Sequence, residues 1–172
     1  LQEQALNEVL DTQILVGDPE TSQALFDRAR GLIDSLPGGL GRVRLLTLLA
    51  RAHAQSADKE KATQVIDAAS RITWGKSGDP DYPRSVARIV EALLASDRLL
   101  EAFNTASRIP DTDAIYEARL SQTPRNRSLT LVAQAAAKIG KVDLAIRAAR
   151  KIRDPASRAA VLGAVAVGIS HS

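Results

Sequence analysis

The chain has 172 residues, 45% of them apolar, 25% charged and only 3% aromatic, which bounds it to one domain or one short array of helices with thin, Ala- and Leu-rich layers. It has no cysteine, which excludes a disulfide framework, a thiolate zinc site and a cysteine nucleophile, and no apolar run approaches the roughly 20 residues of a membrane span. A formal net charge of +3 with a pI near 9.5, carried by 17 Arg and 6 Lys, is too small a surplus to imply nucleic acid by itself, although the arginine fork suits carboxylate and phosphate.

Apolar residues recur at helical spacing from the start. Over 2–15, Leu6, Val9, Leu10 and Gln13 or Ile14 lie along one side, and Gly17 ends the element. Asp18-Pro19-Glu20 opens a helix over 19–35 that buries Ser22, Leu25, Phe26, Ala29, Leu32 and Ile33. Asp caps free amides there, and Pro is tolerated in a first turn. After the break Pro37-Gly38-Gly39-Leu40-Gly41, a helix over 42–56 turns Leu45, Leu46, Leu49, Ala50 and His53 inward. Ala57-Asp58 reverses the chain into 59–73, with Ala62, Val65, Ile66, Ala69 and Ile72 inward. Two Gly, two Pro and two aromatics make 74–83 a loop. Helices at 84–95 and 97–109 turn at Ser96-Asp97, so that Val86, Ile89, Val90 and Leu93 face Leu99, Ala102, Ala106 and Ile109. The long interruption 110–124 holds a helical turn or two around Ile115, Tyr116 and Leu120. The clearest pair follows within 125–153, two short helices over 129–152 joined by a tight turn at Gly140-Lys141, the first with Leu129, Val132, Ala133, Ala136 and Ile139 on one face and the second with Val142, Ala145, Ala149 and Ile152. Asp154-Pro155 starts a last helix, 156–169, apolar and small throughout and expected to close the stack as a cap. All seven prolines fall in a turn or a first helical turn, where they do not break a helix interior.

The second helices share a signature: Arg28-Ala29-Arg30-Gly31-Leu32, Ala68-Ala69-Ser70-Arg71-Ile72, Thr105-Ala106-Ser107-Arg108-Ile109 and Ala148-Ala149-Arg150-Lys151-Ile152, at spacings of 40, 37 and 43 residues. A period in that range indicates stacked helical hairpins, each needing its neighbours to bury its apolar face. The expected fold is all-α: a right-handed α-solenoid of four antiparallel helix pairs (2–35, 42–73, 84–109, 125–153) plus a C-terminal capping helix over 156–169, a single helical-repeat domain across 1–172.

The chain resembles the tetratricopeptide-repeat family most clearly in 42–74. Leu46, Leu49 and Ala50 stand where that motif has two large residues and a small one, and His53 takes the place of its aromatic. Ala57-Asp58 stands at the turn where the family favours Gly-Asp, and Ala62 at the alanine that lets the helices approach. Leu129, Val132, Ala133, Gly140, Ala145 and Ala149 repeat the pattern, as do Leu6, Val9, Leu10 and Gly17-Asp18. The motif's tryptophan, tyrosines and closing proline are missing, and the units are longer than the family's.

Arg44 (or Arg42), Arg84, Arg127 and Arg158 each fall in the first turn of a unit's leading helix. The resemblance implies that this helix lines a concave groove, where the arginines would form a ladder for an acidic peptide or a chain-terminal carboxylate. The competing reading pairs them structurally with Asp34, Asp81, Asp111 or Asp113, and Asp154 just upstream. A second candidate surface is the edge carrying the connections, with Trp74, Tyr82 and Tyr116 as anchors or, alternatively, as plugs onto the nearest helices. Arg71, Arg108, Arg150 and Lys151 complement helix C-termini. Gly75-Lys76-Ser77 is not a phosphate loop, because Ser70 stands where the first glycine is needed and no strand precedes it. His53 reads as a core residue, His171 lies in the tail, and neither has a second ligand at metal spacing.

No catalytic set, metal site or cofactor site follows from these residues. The functional expectation is a non-enzymatic module, an adaptor or scaffold binding a peptide or protein segment in the concave groove or along the loop edge, an acidic one where the arginine ladder is the contact. The alternatives are a helical repeat for single-stranded nucleic acid, against which the modest charge and scarce aromatics argue, and a helical accessory domain of a larger enzyme. The missing initiator Met indicates a processed form or an excised segment, a removed signal peptide being one route. The chain is accordingly expected to be soluble, in the cytoplasm or outside it.

Overall fold

The computed structural model describes residues 19–36, 39–111 and 123–170. The helix expected over 2–15, the segment around Ile115, Tyr116 and Leu120, Asp113, His171, and the side chains of Ser22 and Leu25 lie outside this description. Among the described residues all regular structure is helical: α1 Pro19–Ser35, α2 Leu40–Gln55, α3 Lys59–Trp74, α4 Tyr82–Ala95, α5 Leu99–Arg108, α6 Pro124–Lys138, α7 Val142–Arg150 and α8 Pro155–Ser170. None of them is long and apolar enough to cross a membrane.

The chain divides into two compact units, 1–96 and 97–172, with the border at the Ser96-Asp97 turn. In the first, α2 is the hub and packs on α1, α3 and α4, while α3 also packs on α4. Phe26, Ala29 and Ile33 of α1 meet a core of Val43, Leu46, Leu49, Ala50, Ala62, Ile66, Ala69, Val86, Ile89 and Val90. In the second unit α6 is the hub and packs on α5, α7 and α8, while α7 packs on α8. Its core is Ala102, Phe103, Ala106, Leu129, Val132, Ala133, Ala136, Ala145, Ala149 and Ile152. The many fully buried alanines keep adjacent helices close, and each buried Leu or Ile adds roughly 1.5–3 kcal/mol.

One backbone turn occurs three times. Ser56, Ser96 and Ile139 close their helices at ψ 12, 14 and 18. The next residues, Ala57, Asp97 and Gly140, are left-handed, with φ 60, 60 and 71. Asp58, Arg98 and Lys141 then open the following helices at ψ 72, 56 and 65. The left-handed residues are 40 positions apart (57 to 97) and 43 apart (97 to 140). The Asp58 N–H donates to the His53 carbonyl at 2.9 Å and the Lys141 N–H to that of Ala136 at 2.9 Å. These bonds satisfy the carbonyls a helix end leaves open. Side-chain caps add to them: Asp58 Oδ1 accepts from the Lys61 N–H at 3.1 Å, Thr123 Oγ1 from Asn126 at 3.2 Å, and Asp154 Oδ2 from Ser157 at 2.7 Å.

Several expectations need correction. The connection between α3 and α4 is shorter than 74–83, since Trp74 ends α3 and Tyr82-Pro83 begin α4. Asp79 organises the loop: its Oδ1 accepts the Asp81 N–H and its carbonyl the Tyr82 N–H, both at 2.9 Å. Leu32 is 49% exposed, because the stripe of Phe26, Ala29 and Ile33 faces α2 and Leu32 lies roughly 90° around the helix. Ile139 is 60% exposed because it is the cap residue of α6, off the helical period. Phe103 was not expected in the core; it is buried beneath Arg147 and Lys151, whose cationic groups lie 5.1 and 6.0 Å from its ring centre. Finally, α8 turns Val161 and Val165 inward, but Ala159, Ala160, Leu162, Gly163, Ala164 and Ala166 are exposed.

Candidate functional site

The structure separates the arginines at the helix starts into two roles. In Arg42-Val43-Arg44 the first arginine is ion-paired to Asp34, which also accepts from Arg30 Nε at 2.9 Å. The Arg30 hydrogen bond is the main influence holding the Asp34 carboxyl below its ordinary range. In Arg125-Asn126-Arg127 the first arginine donates to Asp111 Oδ2 at 3.1 Å and to the Ile109 carbonyl at 3.3 Å. Arg153 Nε reaches the same Asp111 oxygen at 3.1 Å, and its backbone N–H donates to Asn126 Oδ1 at 3.2 Å. The middle residues, Val43 and Asn126, are buried, whereas Arg44 and Arg127 are exposed. The structural pairings with Asp34 and Asp111 therefore belong to Arg42 and Arg125, and the second arginine of each triplet faces outward.

The outward arginines share a register. Arg44, Arg84 and Arg127 each stand 13 residues before a left-handed turn residue (44 to 57, 84 to 97, 127 to 140). Arg84 is exposed and contacts Asp81 at a long 3.5 Å, the kind of surface pair worth about 0–1 kcal/mol. Arg158 is half-buried on α8, where its N–H donates to the Asp154 carbonyl at 2.9 Å. Arg44 and Arg84 belong to the first unit, Arg127 and Arg158 to the second.

Arg88 is the residue the sequence reading missed. It is half-buried on α4, one turn beyond Arg84, and α4 packs directly on α2. Burial is the first cause of its depressed pKa; the charge of Arg44 follows, with Arg84 in the same direction and Glu91 and Asp81 opposing. Arginine nevertheless remains charged. Arg44 on α2 and Arg84 on α4 thus both act on the half-buried Arg88 guanidinium, opposed by Glu91 and Asp81. The signal was present in the i, i+4 spacing of Arg84 and Arg88, which puts both on one helix face.

The loop aromatics divide as well. Tyr82 is 8% exposed and packs edge-to-face against Trp74, with ring centres 6.2 Å apart. It plugs the connection onto the helices and offers no free face. Trp74 is 37% exposed, and Tyr116 lies outside the described residues. Among the described residues no group of three His, Asp or Glu side chains is placed to hold a metal ion. No family model, curated protein or solved structure matches the chain.

Proposed function

We propose that the chain is a non-enzymatic interaction module, an adaptor or scaffold built as a right-handed α-solenoid of antiparallel helix pairs, which binds an acidic segment of a protein partner along its leading helices. The observation that carries this reading is the equivalent register of the exposed Arg44 on α2 and Arg84 on α4, two packed helices, both acting on the half-buried Arg88. Support for the repeat comes from the three-fold recurrence of one turn. Carboxylates are the complement of such a field, because guanidinium groups hold them through paired hydrogen bonds. Within the second unit, Arg127 on α6 and Arg158 on α8 offer the same chemistry by themselves.

The test is binding of a fluorescently labelled octaglutamate peptide, together with recovery of partners on the intact protein. Arg44→Glu/Arg84→Glu should abolish peptide binding at an unchanged unfolding midpoint. Arg42→Glu should lower the midpoint by breaking the Asp34 pair. Peptide binding or partner recovery that survives the double reversal would refute the reading. Tight, steeply salt-dependent binding of single-stranded RNA in the same assay would favour the nucleic-acid alternative.

A further inference from the structure

Histidine is the side chain whose ordinary pKa lies closest to neutrality, and His53 is placed where its charge matters. It is 4% exposed on the last turn of α2, with its ring centre 4.5 Å from that of Phe26 on α1. Its Nδ1 is buried without a hydrogen-bond partner among the described residues. Phe26, with Ala29 and Ile33, supplies the described side chains that α1 buries, and α1 packs on α2. One imidazole therefore sits in the seam that holds α1.

The charges facing this ring come from two sides. α1 contributes Asp27 and Arg30, and α3 with its cap contributes Asp58 and Lys61. Asp58 Oδ2 is 4.0 Å from Nδ1, too far for a hydrogen bond. That carboxylate is already engaged: Oδ1 accepts the Lys61 N–H at 3.1 Å, and Oδ2 lies 3.6 Å from Lys61 Nζ. On α4, Arg88 is the charged group that feels Arg44, together with Arg84, Glu91 and Asp81, and Arg44 stands nine residues or roughly 13 Å along α2 from His53. Burial is the largest influence on the ring and disfavours its protonated form; Asp58 is the main opposing one.

We propose that His53 is a proton-operated latch: the neutral ring holds α1 on α2, and mild acidification releases α1 while α2, α3 and α4 stay packed. An imidazolium needs acceptors for both N–H groups. Among the described residues Nδ1 has no acceptor within hydrogen-bond distance, and the nearest, Asp58 Oδ2, is drawn toward Lys61 Nζ, so the ring is satisfied by water, and water enters only when Phe26 moves away. α1 yields first because it is held through its seam with α2, whereas α2, α3 and α4 each pack on the other two.

The direction follows from linkage. The packed pKa lies below the ordinary 6.5, so the neutral-ring stabilisation is complete above about pH 6.5 and is lost as pH falls below it. Each opening takes up at most one proton, so the open fraction of α1 rises up to about tenfold per pH unit in that window.

Hydrogen exchange of the intact protein at pH 7.5, 6.5 and 5.5, corrected for intrinsic rates, tests the latch. Protection of α1 should fall several-fold between pH 6.5 and 5.5, while that of α3 and α6 holds. His53→Phe should make α1 protection independent of pH. Should that variant fail to fold, NMR titration of the His53 imidazole in the wild type decides the matter, with a midpoint below 6.5 expected. A midpoint at or above 6.5, pH-independent α1 protection in the wild type, or equal loss across α1, α3 and α6 would overturn the proposal.

Discussion

Ala57→Gly is expected to stabilise the protein and Gly140→Ala to destabilise it by a similar amount, because the two residues occupy one backbone geometry with opposite chemical suitability. Both are left-handed, at φ 60 and 71, where a Cβ crowds the following carbonyl at roughly 1–2 kcal/mol. Against this, glycine's greater freedom in the unfolded chain returns about 0.4–1 kcal/mol. The difference leaves about 0.5–1 kcal/mol in favour of glycine at either site. No steric contribution complicates Gly140, since an added Cβ would meet nothing within 4 Å, so its change is torsional. Urea unfolding measures the shift; at a slope of about 2 kcal/mol/M, the midpoints should move by about 0.3–0.5 M in opposite directions. The turns are distant in sequence and share no hydrogen bond, so the Ala57→Gly/Gly140→Ala exchange should return close to the wild-type midpoint. A midpoint raised by Gly140→Ala, or lowered by Ala57→Gly, would refute the equivalence of the turns. Asp97→Gly should give a smaller gain, because aspartate tolerates the left-handed region better than alanine.

Asp111→Asn removes the carboxylate shared by Arg125 and Arg153 and should cost about 1–3 kcal/mol, whereas Asp81→Asn should stay within about 0.5 kcal/mol; chemical denaturation separates the two. Phe103→Ala should lower stability by about 3–5 kcal/mol through a core cavity, while Ile139→Ser on the exposed cap stays within about 0.5 kcal/mol, both read from unfolding midpoints. Asp34, Glu101 and Asp154 have carboxyl pKa values lowered chiefly by hydrogen bonds from Arg30, Arg98 and Ser157 respectively. Their stabilisation is complete above the ordinary values of 3.8–4.5 and is lost as pH falls through the lower folded ones. The melting temperature should therefore drop between pH 4.5 and 2, less steeply in Asp154→Asn.

Helix positions were legible because apolar spacing, prolines and capping residues agree with one another. α1 over Pro19–Ser35 and α3 over Lys59–Trp74 lie within a residue of their expected bounds, and Asp154 caps the helix it was expected to start. Leu32 and Ile139 were misplaced because period alone does not say how wide a face the neighbouring helix covers or where the helix ends. The arginine site was half legible. Arg44 (or Arg42), Arg84 and Arg127 were recognised from their place at helix starts, and Asp34 and Asp111 as possible partners, but which arginine of each triplet takes the pair, and that Arg125 takes Asp111, was not. Eight residues separate Arg42 from Asp34 and fourteen separate Arg125 from Asp111, across connections whose paths the sequence does not specify.

Local chemistry thus determined the all-helical character, the turns and most of the core, since these depend on residues within a few positions of one another. Tertiary structure decided which charges act together. Arg44 and Arg88 are far apart along the chain and influence each other only because α2 packs on α4. Likewise Phe26 and His53 meet only because α1 lies on α2. Electrostatic and ring contacts depend on distance through space, and that distance exists only once the helices have packed.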